Sequence, residues 1–443
     1  MVVGEGPAKD EVRHGYPFAG RSGTELDLQY LPAAGLCRPY IRVTNARKCP
    51  CPGFANPTHE QALDCARFHL TKELRETNPF VVLSLGAVAA SIFDTSISLG
   101  RSVSLELDHG RPVRAGFGGW EGWLVPQYHP AAAMHQSALY GIPLQQDFTD
   151  LCRILRDLEA GREPEFPTDW FSDLWYRELG DVDELTCILG TYEQYQDGPA
   201  IDTESDGDTP WSVQFSLKPG TGYLIDARRH DLLSVFARWL SSTRPLVWFH
   251  HALSDLPVCH ELGLSIPRYR DTLMESYWSQ SPSLGLKVLA YRLCGMEMQD
   301  YTDLVVPYSR SAVAAWCSPI LDRIRGEFQY EHRFRSGPRA GLTEWRFPDN
   351  ADDGVRDTYN RLTALVRDLG KDPETDPWKR WEGWKDHVQQ WCTALGPAMP
   401  TKSIVHVPRD QAIYYACRDA DATLRLAPIA RRAAAGVRKG IEV

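Results

Sequence analysis

The chain opens on MVVGEGPAKDE, residues 1–11, in which the apolar pair Val2-Val3 breaks at Gly4-Glu5-Gly6-Pro7 and gives way to polar residues suited to a helix start. Strand, glycine turn and helix in succession make the first unit of an α/β sheet. At such a turn glycines let the backbone come close to a ligand and leave amides free for an anion. Outward from it the alternation continues. Strand-like runs at Tyr40 to Val43, Phe80 to Leu85 and Trp123 to Val125 interleave with helical stretches at Glu60 to Glu76 and Phe148 to Leu158. This predicts a mostly parallel α/β domain over residues 1–160.

The stretch AGREPEFPTD, Ala160 to Asp169, breaks the composition, and residues 161–183 are expected as a linker. A second α/β domain is expected over 184–443, with strands at Ala200-Ile201 and Leu246 to Phe249 and a closing helix from Arg409 to Ala427. It is interrupted at 304–403 by a mainly helical, Trp-rich insertion carrying Trp316, Trp345, Trp378, Trp381, Trp384 and Trp391. Within the insertion, Val355, Tyr359, Leu362, Leu365, Val366 and Leu369 share one helical face.

At 443 residues the chain is long enough for more than one core, and 24 % charged residues are ordinary for a globular protein. The longest apolar stretch, Pro79 to Phe93, is broken by Ser84, Gly86 and Ser91 and is too short for a bilayer span. With a glycine turn standing where a leader would lie, a cytoplasmic location is expected, that of the host cell for a phage protein. The 11 cysteines, odd in number and irregularly spaced, do not read as a disulfide framework. A formal charge of −10 argues against a generic nucleic-acid coat but not against a nucleic-acid enzyme, whose phosphate-facing arginines can be local.

Four ordered motifs carry the first functional reading. GEG at Gly4 to Gly6 is followed by GYPFAGRSG at Gly15 to Gly23, then Thr44-Asn45 with Lys48-Cys49, then Tyr128-His129-Pro130-Ala131. Together these resemble the uracil-DNA glycosylase superfamily, most closely its family 4, over about 150 residues. The resemblance implies a three-layer α/β fold that excises uracil from DNA. In that role Phe18 stacks on the flipped base and Asn45 pairs with the O4 and N3–H edge of uracil. His129 stabilises the charge growing at O2, Glu5 orients the attacking water, and Gly4 and Gly6 shape the turn. Gly6 and Ala8 depart from the family, which has Ala and Gly there.

Family 4 also implies four cysteines on an iron-sulfur cluster. Cys49 and Cys65 match its downstream pair, but the upstream CxxC has no counterpart in this sequence. Cys37 and Cys51 are the available substitutes, and the four thiolates suit iron-sulfur or zinc by ligand type. The competing reading, reduced cysteines, is favoured because a CxC is not the family spacing.

The second functional reading begins at Asp202-Thr203-Glu204, whose carboxylates at i and i+2 leave one face of a strand and repel unless a cation joins them. Downstream stand His250-His251 with Asp255, the run RDTLMESY at Arg270 to Tyr277, and YACRDADATL at Tyr415 to Leu424 with its leading Tyr414. The series resembles the DEDD 3′-5′ exonucleases of the tyrosine subclass, an RNase H-like or DnaQ-like fold, in particular the proofreading domain of bacterial DNA polymerase I. It implies that Asp202, Glu204, Asp255 and Asp419 hold two divalent cations, magnesium or manganese, and that Tyr415 orients the attacking water. His251 stands where relatives commonly carry Asn and is expected against the terminal nucleotide. Asp421, off the Tyr415 and Asp419 face, is expected to be structural.

A glycosylase-like domain joined to a proofreading-like exonuclease resembles the N-terminal part of certain phage polymerases of the polymerase I type. The expected partners are uracil-containing DNA, single-stranded or frayed 3′ ends, and a polymerase on a separate chain. The insertion is read either as a dock for that chain or for single-stranded DNA, or as a helical layer whose tryptophans fill its own core. Two rival classes stay open: an RNase D-like exoribonuclease, and an exonuclease whose first domain binds uracil or DNA without cleaving.

Overall fold

The computed structural model describes the chain apart from residues 136–139, 164, 170, 172, 193–197, 279–282, 334, 336–338, 340, 341, 374, 397, 442 and 443. It divides into two compact units. The first comprises Met1–Ser172, Asp271–Glu297 and Arg425–Val443, and the second Asp173–Arg270 and Met298–Leu424.

The first unit is built on strands β1 (Val2–Gly4), β2 (Val43–Asn45), β3 (Val81–Leu85), β4 (Val113–Phe117) and β5 (Trp120–Gln127), in the order β2-β1-β3-β5-β4. All neighbours are parallel except β4 against β5. Alternation along each strand feeds two cores. Val2, Leu83 and Val125 face the helix Gly141–Glu159 through Leu144, Phe148 and Leu151, whereas Val3, Val82 and Leu124 face Ala62, Ala66, Leu70 and Leu74. Covered on both faces, β3 reads as the unbroken run VVLSL, all of it buried. The expected strand at Tyr40 to Val43 starts later, at Val43, because Pro39 lacks an N–H and Arg38–Tyr40 closes as a 3-10 turn.

Chain order makes this sheet a binding scaffold. From β1 the chain crosses to β2 on one side and returns to β3 on the other, so a crevice opens at the carboxyl ends of these strands. Glu5, Asn45, Gly86 and His129 all stand at or just beyond such ends.

The second unit holds β6 (Trp175–Glu178), β7 (Ala200–Asp206), β8 (Thr209–Ser216), β9 (Thr221–Asp226), β10 (Val247–Phe249) and β11 (Tyr269–Asp271), in the order β11-β10-β7-β8-β9-β6. β6 lies inside the 161–183 stretch expected as a linker and pairs parallel with β9. Tyr223 and Ile225 of β9 enter one core with Phe215 and Phe236, while Leu224 enters another with Val407, Tyr415 and Ala416. Gly222 lets the helix Arg409–Ile441 close on β9, since a Cβ there would lie 2.6 Å from Cys417 Cβ.

The insertion is mainly helical, with Tyr301–Phe328, Asp353–Leu369, Pro377–Glu382 and Lys385–Leu395, and it also carries a hairpin of β12 (Tyr330–Arg333) and β13 (Thr343–Arg346). Five of its six tryptophans, Trp316, Trp378, Trp381, Trp384 and Trp391, pack in one core with Val355, Leu362 and Leu365. Among the described residues no helix is long and apolar enough to cross a membrane.

Candidate active sites

A cleft of about 770 Å³ lies at the carboxyl ends of the first sheet, with Glu5, Glu11, Phe18, Asn45, Tyr128 and His129 in its wall. Gly4 permits this convergence, because a side chain there would collide with Asn45 Oδ1 and the Phe18 ring. Phe18 has φ +56, a left-handed conformation costly for a bulky residue. Its backbone is held on both sides. Phe18 N donates to Glu11 Oε1 at 2.5 Å, and Arg38 donates to Pro17 O at 2.9 Å and Phe18 O at 3.3 Å.

Asn45, at the end of β2, is buried and donates Nδ2 to the same Glu11 Oε1 at 3.2 Å. A carboxylate only accepts, so this bond fixes which end of the amide is nitrogen. Glu11 also accepts from Ala8 N at 2.6 Å through Oε2. In the sequence Glu11 looks like an ordinary helix-capping acid, and its second oxygen does what the sequence does not announce.

His129 lies parallel to Phe18, ring centroids 5.5 Å apart. Its Nδ1 accepts from Ala131 N at 3.1 Å, which places the ring proton on Nε2. Burial lowers its pKa to about 4, so the ring is a neutral Nε2–H donor at physiological pH. The Glu5 carboxylate accepts from Val88 N at 3.0 Å and fills the space a side chain at Gly86 would need. Burial raises its pKa above the ordinary carboxylate value, and the Val88 bond opposes this more weakly.

The wall behind Tyr128 draws on distant sequence. Tyr128 packs on His109 at 4.9 Å, and His109 Nδ1 is 2.6 Å from Asp147 Oδ2. Arg292, from the helix Leu286–Cys294, donates to Leu107 O at 3.1 Å and His109 O at 3.0 Å. Nothing in the sequence near Arg292 signals this role.

Cys65 Sγ accepts from Lys48 N at 3.2 Å, Cys51 Sγ lies 3.6 Å from Gln61 Oε1, and Cys37 is exposed before the Arg38–Tyr40 turn. Among the described residues, no group of three or more ligand atoms within 4.8 Å of one another includes a cysteine. Among the described residues the thiols therefore do not present the close set that a single four-thiolate zinc ion needs.

In the second unit, Asp202, Glu204 and Asp419 bring carboxylate oxygens within 4.8 Å of one another. Asp202 and Glu204 share a face of β7, and Asp419 comes from the helix packed over β9. Tyr415 is buried one turn before Asp419, hydrogen-bonded to it, and burial among carboxylates pushes its phenol pKa far up. Three close carboxylates suit a hard divalent cation by donor chemistry. Asp255, expected as a fourth ligand, lies outside this group: its Oδ1 accepts from Thr203 N at 3.0 Å and Thr203 Oγ1 at 2.8 Å. His251 is exposed, has φ +73, and sets Nδ1 2.8 Å from Ser254 Oγ. Asp421 is fully buried, accepting from Tyr176 OH at 2.6 Å and Gly220 N at 2.9 Å.

The profile of the Uracil DNA glycosylase superfamily matches residues 1–159, and through this part the chain belongs to that superfamily. Within it, the chain is similar to type-4 uracil-DNA glycosylases. That of Thermotoga maritima is 34 % identical over 133 residues, 30 % of this chain and 64 % of the relative. That of Archaeoglobus fulgidus is 32 % identical over 147 residues, 31 % of this chain and 68 % of the relative. That of Saccharolobus solfataricus is 29 % identical over 153 residues, 33 % and 67 %. The chain thus spans about two thirds of the length of these relatives.

Proposed function

We propose that the first unit excises uracil from DNA. The observation that carries this is the amide of Asn45, locked by Glu11 in the cleft that Phe18 and His129 share. A flipped uracil on Phe18 would give N3–H to Asn45 Oδ1 and take the second Nδ2 proton at O4. Cytosine offers an acceptor and a donor at those places and leaves both unmatched. As the bond from C1′ to N1 breaks, its electron pair goes to the base, and His129 Nε2–H donates to O2 where that charge collects. The sugar becomes cationic and is attacked by a water whose proton passes to Glu5, a stronger base for its raised pKa.

The second unit is read as a metal-dependent 3′-5′ exonuclease, supported by Asp202, Glu204, Asp419 and the adjoining Tyr415. Divalent ions, when bound there, would activate water and stabilise the leaving 3′ oxygen. Tyr415, its proton donated to Asp419, would accept a hydrogen bond from the attacking water and so orient it, and Asp255 would hold Thr203 so that the flanking acids stay aimed together.

A labelled single strand containing one uracil, incubated with and without EDTA and then treated with alkali, tests both activities. The expected result is an alkali-labile break at uracil that survives EDTA, together with a ladder from the 3′ end that EDTA removes. Uracil binding without a break would make the first unit a binding module. A ladder on RNA in preference to DNA would make the second an exoribonuclease.

A further inference from the structure

Of the six tryptophans in the insertion, Trp345 alone lies outside the helical core, on the β12–β13 hairpin and 49 % exposed. The hairpin forms a sheet of its own with two strands. A lone ribbon is marginal in water, and this one is secured at its base. Phe328, just before β12, packs on Trp391 at 5.7 Å, and Phe347, just after β13, packs on Tyr359 at 5.5 Å. Arg356 also donates to Pro348 O at 2.5 Å.

Above that base the two faces differ. The cross-strand pairs Tyr330 with Arg346 and His332 with Glu344 lie on one face, where three of the four residues are half-buried. Glu331 with Trp345 and Arg333 with Thr343 lie on the other, where all four are exposed. Arg333 is therefore a diagonal neighbour of the Trp345 ring. Residues 330–346 carry four arginines, Arg333, Arg335, Arg339 and Arg346, against Glu331 and Glu344, in a chain whose formal charge is −10. Glu344 serves both Arg346 and Arg339.

We infer that this ribbon is a binding surface for single-stranded nucleic acid, with bases stacking on Trp345 and phosphates meeting Arg333 and Arg335. A polyanion is the occupant that a locally basic ribbon on an acidic chain selects. The exposed ring beside a guanidinium suits an unpaired base rather than a duplex. The five core tryptophans hold the platform, and the one left outside meets the ligand. This surface shares no residue with either proposed active site and requires neither to be catalytic.

The test is fluorescence anisotropy of a labelled oligothymidylate on the full chain in EDTA, across a salt series. Trp345→Ala is expected to weaken binding roughly fivefold to a hundredfold. Replacing Arg333 and Arg335 together by Gln is expected to reduce the slope of log affinity against log salt by about 1.4. Neither variant is expected to shift the thermal midpoint, and a duplex of the same sequence is expected to bind more weakly. Wild-type affinity and slope in both variants overturn the inference. If Trp345→Ala does disturb folding, the arginine pair decides alone, by the salt slope. EDTA keeps the outcome independent of whether the acidic cluster cleaves.

Discussion

Glu11 and Asn45, 34 residues apart in the chain, meet through a hydrogen bond of 3.2 Å from the Asn45 amide to one carboxylate oxygen, which also receives the Phe18 amide. One acid thus orients the Asn45 amide and holds the strained backbone of Phe18.

Glu11→Gln keeps the shape but offers an amide that can donate as well as accept, so the Asn45 amide is no longer pinned. The expected outcome is a loss of about tenfold to a hundredfold in kcat/KM for uracil excision, with folding weakened by about 1–3 kcal/mol from the lost charged bonds. Single-turnover kinetics on uracil-containing DNA and urea unfolding check it.

In the proposed excision, the raised Glu5 pKa sets the acid limb. Glu5 must be ionised to take the proton, and its raised pKa moves loss of activity to a higher pH than an ordinary carboxylate would give. Glu5→Gln should abolish that limb along with most of the rate.

His129 is neutral in the folded state down to about pH 4, whereas an unfolded histidine takes its proton near 6.5. Between these values the unfolded state holds more protons, so this group's stability contribution is full above 6.5 and falls as pH drops toward 4. The loss by pH 4 is at most about 3 kcal/mol. Denaturant unfolding from pH 7 to 4 should show a shallower decline in His129→Gln than in the unmodified protein.

Arg292→Ala removes the donor to Leu107 O and His109 O and leaves two carbonyls without it behind the Tyr128 wall. A stability loss of about 2–4 kcal/mol is expected, with KM for uracil DNA raised more than kcat is lowered. Thermal unfolding and steady-state excision separate the two effects, and Arg292→Lys should recover part of each.

In the second unit, Asp202→Ala and Asp419→Asn should each remove the metal-dependent ladder, and Tyr415→Phe should slow it about a hundredfold. Asp421→Asn, two residues further on, should instead cost about 1–3 kcal/mol in folding through its bonds to Tyr176 and Gly220, without changing metal dependence. Gel assays over a magnesium titration and melting curves distinguish them.

Local pattern determined much of this protein. Alternating apolar residues beside glycine turns predicted two α/β sheets, since strand and helix periodicities are properties of short segments. The motifs containing Glu5, Asn45 and His129 could be read for the same reason, each lying where a strand ends, and that of Phe18 as the glycine-bounded turn between the helices Lys9–His14 and Arg21–Glu25. The DxE pair and the turn from Tyr415 to Asp419 likewise carry their geometry in their spacing.

Only the tertiary structure decided what depends on distant segments meeting. It made Glu11 a clamp as well as a cap, set Arg292 behind a wall formed by residues 105–109, and turned β6 from expected linker into a sheet edge. It tied Asp255 to Thr203 and drew five tryptophans into a core while leaving Trp345 outside. A residue's type fixes what it can bond, but which partner lies within 3 Å, and whether water competes, is set by packing among elements that the sequence keeps far apart.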